Sequence, residues 1–440
     1  MLNLRNNQLL DETLVIIMAG GQGSRLYPLT KDRAKPGVPF GGIYRIIDFT
    51  LSNCLNSGLR HINILTQYKS FSLDRHLRDA WLFMNRPELG EELNLIPPQL
   101  RVNSHWYQGT ADAIYQNIYL LESVKPSRVL ILSGDHIYKM NYAAMLRRHV
   151  DAKADLTIGG IRIDKSEASE FGVMVVDAEG RITGFQEKPK TNPPAIPGHP
   201  GKCLASMGIY IFNTDVLVRE LTKDARKDES SHDFGKNIIP GMLERKRLQA
   251  HMMEGVHERD GSEAYWRDVG TLDAYYDAHM DLTGENPPLD LGGSHWPIRT
   301  FRDQLPPAHF DGGVGKDAGC RIEHSMVTSG CRLTRCVVER SILGPKVIVG
   351  DGSLIEESVI MEDTRVGKGC KIRRCISDKH VVLADKTMIG YDLEEDRRRF
   401  QISEKGIVII PKGYRNDVGS AELPRKSASS RSKAVQGGEA

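Results

Sequence analysis

The chain has 440 residues, 40% of them apolar and 26% charged, a globular composition that excludes a disordered or collagen-like polymer and is long enough for two domains. Its 59 basic and 57 acidic residues leave a formal charge of +2, too small a field to point to nucleic acid or a membrane surface as partner. No run of about 18 apolar residues predicts a membrane span, and the opening "MLNLRNNQLLDE" lacks the apolar centre of a secretory leader, so the expected location is the cytoplasm.

Taken in chain order, the first predicted strand is "LVIIM" (Leu14–Met18), and the loop "AGGQGSR" follows it directly. This loop is not a Walker A loop, because Ser24 and Arg25 follow Gly23 where Gly-Lys-Ser/Thr is required, and it is not a dinucleotide fingerprint, because Leu26 replaces the third glycine. Glycines still let backbone N–H groups wrap an anion. Arg25 adds a fork for two phosphate oxygens and Lys35, before Pro36, a compact point charge. A plain tight turn is the alternative for the glycines alone.

"INILT" (Ile62–Thr66), "VLILS" (Val129–Ser133) and "DLTIGGIRI" (Asp155–Ile163) are further short apolar runs, as expected of strands buried on both faces. Helical segments such as Thr110–Leu121 and Tyr142–Val150 alternate with them, which predicts a doubly wound, mostly parallel mixed α/β sheet over 1–284. Asp135 stands just past Val129–Ser133, where strand ends face a ligand crevice. Alone, Asp135 and Asp268 also read as helix caps. "GVMVVDAEGRITGFQEKP" (Gly172–Pro189) reads as a β-hairpin inserted on the sheet, or a lid over it.

Residues 285–319 are dense in Pro and Gly and read as an ordered linker. Beyond it Ile342, Ile348, Leu354, Ile360, Val366 and Ile372 recur every six residues, with Gly344, Gly350, Gly367 and Gly369 at turn-like places. That period predicts a left-handed parallel β-helix over 320–415, with one inward aliphatic per repeat. The polar tail 416–440 is expected to be disordered. Seven cysteines form no CxxC pair and no zinc spacing, so buried reduced thiols are expected.

The stretch "GGQGSRLYPLTKDRAKP" resembles the loop of the sugar-phosphate nucleotidyltransferases. "RIIDFTLSNCLNSG", "HWYQGTADA", "SGDHIY", "FGVM", "EKP", "ASMGIYIF", "SSHDFGKNIIP" and "YWRDVGT" narrow the resemblance to their bacterial ADP-glucose pyrophosphorylase branch, over nearly the whole chain. The resemblance implies transfer of an adenylyl group from ATP to α-D-glucose 1-phosphate, releasing pyrophosphate, with Mg²⁺ on Asp135 and Asp268. It implies Arg25 and Lys35 on the phosphates with Gly20, Gly21 and Gly23 as backbone donors. Gln67 and Trp106 fall on the nucleotide side. Tyr107, which also looks like a nucleotide-side aromatic, joins Gly172, Glu187, Lys188 and Ser206 as a contact of glucose 1-phosphate or ADP-glucose. His136 receives no role.

The resemblance further implies a homotetramer regulated by small anionic effectors between two domains, with Arg33, Arg45, Lys371, Arg373 and Arg374 as basic candidates. Enteric relatives carry a lysine before "RAKP" and a histidine before the following Phe; this chain has Asp32, with Lys31 one step earlier, and Pro39. Fructose 1,6-bisphosphate is therefore not carried over as activator. Two other readings stay open: a related enzyme using UTP, dTTP or GTP, and a non-catalytic subunit of the same fold.

Overall fold

The computed structural model describes residues 2–99, 106–256, 264–312 and 319–417. Most of the tail, from 418 on, lies outside the described residues, as do 313–318 of the Pro/Gly-rich stretch.

A nine-stranded mixed sheet organises the first part. We number its strands β1 (Thr13–Met18), β2 (His61–Leu65), β3 (Glu92–Ile96), β4 (Arg128–Ser133), β5 (Leu156–Asp164), β6 (Gly172–Val176), β7 (Ile182–Glu187), β8 (Lys202–Asn213) and β9 (Leu248–Met252). The parallel heart is β4-β1-β2-β3. The long β8 runs antiparallel to β4, β5 and β6, and β9 pairs parallel with β5. Side chains of a strand alternate between faces, so β1 feeds two cores. Val15 and Ile17 pack with the helices Ile46–Asn56 and Phe71–Trp81, while Leu14 and Ile16 pack with Thr110–Tyr115 and Thr214–Asp224. Burial on both faces explains why the run is apolar without alternation.

Two sequence expectations change here. The segment Thr110–Leu121 is two helices, Thr110–Tyr115 and Ile118–Val124. Asn117 divides them, its side-chain amide donating to the Ala113 carbonyl at 2.8 Å and so offering the backbone an alternative to the helix. The β6–β7 hairpin is no separate insertion or lid: β6 pairs with β8, so the hairpin is the edge of the main sheet.

Residues 284–308 contain no helix or strand but are strapped to the helix Ile46–Asn56. The Trp296 indole donates to Asn53 at 2.8 Å, the Arg299 N–H to Ser52 at 2.8 Å and the Asn56 amide to the Pro297 carbonyl at 3.0 Å.

Next comes a left-handed parallel β-helix built from three sheets of short strands. Its period differs from the sequence reading. Arg321↔Val337, Met326↔Ile342 and Arg332↔Ile348 are 16 residues apart, and most of the later strand partners are offset by 17, as in Val337↔Leu354 and Ile348↔Arg365. One of the three repeats in each such coil is therefore contracted to five residues. The inward row runs Leu343, Val349, Ile355, Ile360, Val366, Ile372. Ile348 is 38% exposed and Leu354 only half-buried, so neither belongs to it.

The β-helix docks on the first part through a shared core in which Phe40, Phe49, Tyr275 and Tyr276 meet Ile342, Val359, Met361 and Ile376. All seven cysteines are buried and unpaired. Among the described residues no helix is long and apolar enough to cross a membrane.

Candidate active site

The loop after β1 turns at Gly23, whose φ of +62° lies in the left-handed region and whose Cα has Lys35 Cβ and Thr30 Cγ2 within about 3 Å of where a side chain would start. Among the described residues, the N–H groups of Gly20, Gly21, Gln22 and Gly23 donate to no protein acceptor, which leaves a row of donors at the carboxyl end of the sheet. Gln67, just past β2, packs on Gly20 with its amide nitrogen buried and unpartnered. Exposed Trp106 stacks on Tyr68 at 6.2 Å, so Gly20, Gln67, Tyr68 and Trp106 form one continuous wall.

Lys35 begins a short 3₁₀ turn that buries it and aims its ammonium across the cleft. Nζ lies 2.8 Å from Asp135 and 3.0 Å from Asp268. The two acids come from the ends of an antiparallel pair, His136–Tyr138 against Trp266–Asp268, in which Asp268 is opposite His136. Ser133 donates to the other Asp135 oxygen. The Arg25 guanidinium lies over Gly270, where a Cβ would be 3.1 Å from both it and Asp268. Neither acid is a helix cap: Thr271 caps the following helix, accepting from the Ala274 N–H at 3.2 Å. Burial alone would raise the Asp135 carboxyl, but Lys35 and His136 outweigh it and hold the group well below the ordinary carboxylate range. Burial likewise depresses Lys35, and the two aspartates more than reverse that. Asp135, His136 and Asp268 offer ligand atoms within 4.8 Å of one another, a set that could hold a metal ion.

Beside the acids opens a cavity of about 230 Å³ whose lining includes Gly172, Glu187, Lys188, Ser206, Asp233 and Asp268. The four sugar-side residues singled out from the sequence, other than Tyr107, thus converge. β8 bulges between Ser206 and Tyr210, which turns Ser206 into the cavity mouth. Gly172 is required by space, since a Cβ there would meet the Phe185 ring at 2.4 Å and Glu187 Oε2 at 2.9 Å. Lys188 follows β7 with φ of +49°, a strained value for a side-chain residue and one found at ligand sites. Burial, and then the neighbouring charge of Asp233, push the Glu187 carboxyl upward.

Residues 14–285 match the family model described as nucleotidyl transferase, and residues 306–410 match a GlmU-like C-terminal hexapeptide model. Glucose-1-phosphate adenylyltransferase 2 of Vibrio cholerae is 50% identical over 405 residues, covering 92% of this chain and 99% of that protein. The glucose-1-phosphate adenylyltransferases of Koribacter versatilis (49% identical, 92% of this chain, 96% of the relative) and Rhodopirellula baltica (48%, 93% and 92%) are similar throughout. The chain belongs to the glucose-1-phosphate adenylyltransferase family.

Within this family member, the structure separates Tyr107 from the other sugar-side candidates. Its hydroxyl accepts from Asn117 at 2.9 Å and its ring packs on the apolar core, so it is not among the cavity-lining residues. Sequence reasoning passed over Asp233, Thr110, His136 and Trp266, all of which line the cavity. Asp233 lies inside the quoted "SSHDFGKNIIP" run and caps the π-helical turn Phe234–Ile238, a rare element that favours functional sites.

A second cavity, of about 570 Å³, lies between the two parts, with Arg45, Arg75, Arg302, Lys379, Asp303 and Glu362 in its wall. Of the basic candidates from the sequence only Arg45 faces it. Arg33 is buried against Asp378, while Lys371, Arg373 and Arg374 lie on another side of the β-helix, with Arg373 over the Tyr391 ring. Lys371 and Arg373 are in a strand of the sheet that also holds Arg321–Glu323, and Arg374 follows that strand at a bend. Pro39 lines the cavity; Asp32 and Lys31 are exposed.

Proposed function

We propose that the chain transfers an adenylyl group from ATP to α-D-glucose 1-phosphate, giving ADP-glucose and pyrophosphate for α-glucan (glycogen) synthesis. A single observation carries the reading: Lys35 meets Asp135 and Asp268 at the mouth of a cavity that holds Glu187 and Lys188. Bringing two polyanions together needs cations and positioning more than covalent help from the protein.

The free N–H row of Gly20, Gly21 and Gly23 binds the triphosphate together with Arg25. Gln67 and Trp106 flank the base. Lys188 binds the phosphate of glucose 1-phosphate, and Glu187, Ser206 and the Gly172 backbone receive the sugar. Asp135 and Asp268 would hold Mg²⁺, since paired carboxylates with substrate phosphates suit a hard cation; when bound it supplies neutralisation at the α-phosphate. Until then Lys35 neutralises the acid pair, and with ATP present its ammonium turns to the departing pyrophosphate. A phosphate oxygen of the sugar attacks the α-phosphorus in line. The new P–O bond forms as the bond to the β-phosphate oxygen breaks. The nucleophile is already an anion, so no general base is required.

The cavity between the two parts, with Arg45, Arg75, Arg302 and Lys379, suits a small anionic effector, and the reading includes a cytoplasmic, allosteric homotetramer with no nucleic-acid or membrane partner. The test is pyrophosphate release from purified protein against a panel of nucleotides and sugar phosphates with Mg²⁺. ATP with glucose 1-phosphate is expected to be the best pair. Preference for UTP, dTTP or GTP, or no release at all, overturns the proposal.

A further inference from the structure

Two stretches distant in sequence are laced together at the edge of the sugar cavity. The His232 carbonyl accepts from the N–H of Ala111 at 2.8 Å and of Asp112 at 3.4 Å, closing the open start of the helix Thr110–Tyr115. Gly109 sits so near that a Cβ would lie 2.3 Å from the carbonyl oxygens of Ser231 and His232. His232 itself has φ of +50°, a strained backbone that persists where the surroundings over-determine it. Its ring Nδ1 meets Asp224 at 2.8 Å and its N–H donates to Ser230 Oγ at 3.0 Å.

Thr110 stands at the centre of this clasp. Its hydroxyl donates to Asp233 Oδ2 at 3.1 Å and accepts from the Phe234 N–H at 3.1 Å. The second oxygen of Asp233 accepts from the N–H groups of Gly235 at 2.9 Å and Lys236 at 3.1 Å. Asp233 is thereby engaged on both oxygens. Gly235, the next link, approaches Glu187 so closely that a Cβ would lie 2.7 Å from Oε2. The position of one acid relative to the other therefore depends on a hydroxyl from the far stretch. With its one proton committed to Asp233, the hydroxyl is better suited to holding that neighbour than to donating to substrate.

We propose that Thr110 is a positioning residue of the sugar pocket, acting through Asp233 to hold the pair Asp233 and Glu187 at the spacing that receives the sugar hydroxyls. The inference rests on the reading of that cavity as the glucose site. Calorimetric binding of ADP-glucose and of ADP, with Mg²⁺, to the full-length chain tests it. Thr110→Val is expected to weaken ADP-glucose about fivefold, the effect of one net hydrogen bond, and to leave ADP within about twofold. Thr110→Ser is expected to restore affinity. Because Thr110 acts through Asp233, Thr110→Val added to Asp233→Ala, which leaves the hydroxyl no side-chain partner there, should cost nothing further. Equal weakening of ADP and ADP-glucose, or additive losses in the double variant, overturns the role. A wild-type chain that binds ADP but not ADP-glucose overturns the sugar reading and this inference together. ADP-glucose binding by wild type and Thr110→Val alike overturns only the inference. Should Thr110→Val lower the thermal midpoint, Thr110→Ala, which also removes the hydroxyl, replaces it in the same comparison.

Discussion

Arg33 and Asp378, 345 positions apart, form a buried ion pair in which one guanidinium nitrogen lies 2.8 Å from both carboxylate oxygens. The pair joins the 3₁₀-turn region before Lys35 to the β-helix, and the other terminal nitrogen of Arg33 is buried with no partner. Removing one member of a buried pair leaves an uncompensated charge, which costs about 3–5 kcal/mol. Arg33→Met is therefore expected to lower the urea midpoint strongly, and Arg33→Met with Asp378→Asn to recover much of the loss. A single variant as stable as wild type would show that water or a neighbour already screens the pair.

Asp135 holds Lys35 and belongs to the candidate metal set. Asp135→Asn keeps the shape and removes the charge, so the expected outcome is an intact fold with turnover reduced by about 10²-fold or more. Circular dichroism with steady-state pyrophosphate release measures both. Near-normal turnover with saturating Mg²⁺ would remove Asp135 from the chemistry.

Lys188 lines the cavity proposed to receive the sugar, whereas Arg25 lies beside Asp268 over Gly270. The two cations should therefore fail differently. Lys188→Ala is expected to raise the KM for glucose 1-phosphate at least about tenfold with little change for ATP, since a charge-assisted contact is worth about 1.5–3 kcal/mol. A defect confined to ATP contradicts the assignment.

His279 is buried, with Nδ1 on the Tyr275 carbonyl at 2.8 Å and Nε2 accepting from the Gly41 N–H at 3.2 Å. The Gly41 N–H requires an unprotonated Nε2 and so selects the neutral ring, and burial, outweighing the Tyr275 carbonyl, pushes its pKa down to about 4. The folded value lies below the ordinary value of about 6.5, so the unfolded chain binds the proton more tightly. Stability from this group is fully present above about pH 6.5 and is lost as pH falls toward 4, at up to about 1.4 kcal/mol per pH unit. Buried His149, also pushed down to about 4 by desolvation, acts in the same direction. The thermal midpoint is expected to fall between pH 7 and pH 5, where few other groups titrate. A midpoint that stays level over that interval contradicts the neutral buried rings.

Local patterns carried a good deal of this protein. The two-faced apolar runs announced β1, β2 and β4, because burial on both sides of a sheet demands such residues wherever the strand goes. The glycine loop announced a row of backbone donors after β1, because a glycine turn is set by a few neighbouring residues. The repeat announced a β-helix but misplaced its inward row: a coil of 17 residues rather than 18 shifts Ile348 outward, and only the stacked strands reveal the contraction. What sequence could not settle were the relations between distant segments. That Lys35 lies on Asp135 and Asp268, that Asp233 reaches Thr110, and that Tyr107 turns to the core depend on how strands order and helices dock. Those distances follow from packing over the whole chain, which no short window of residues encodes.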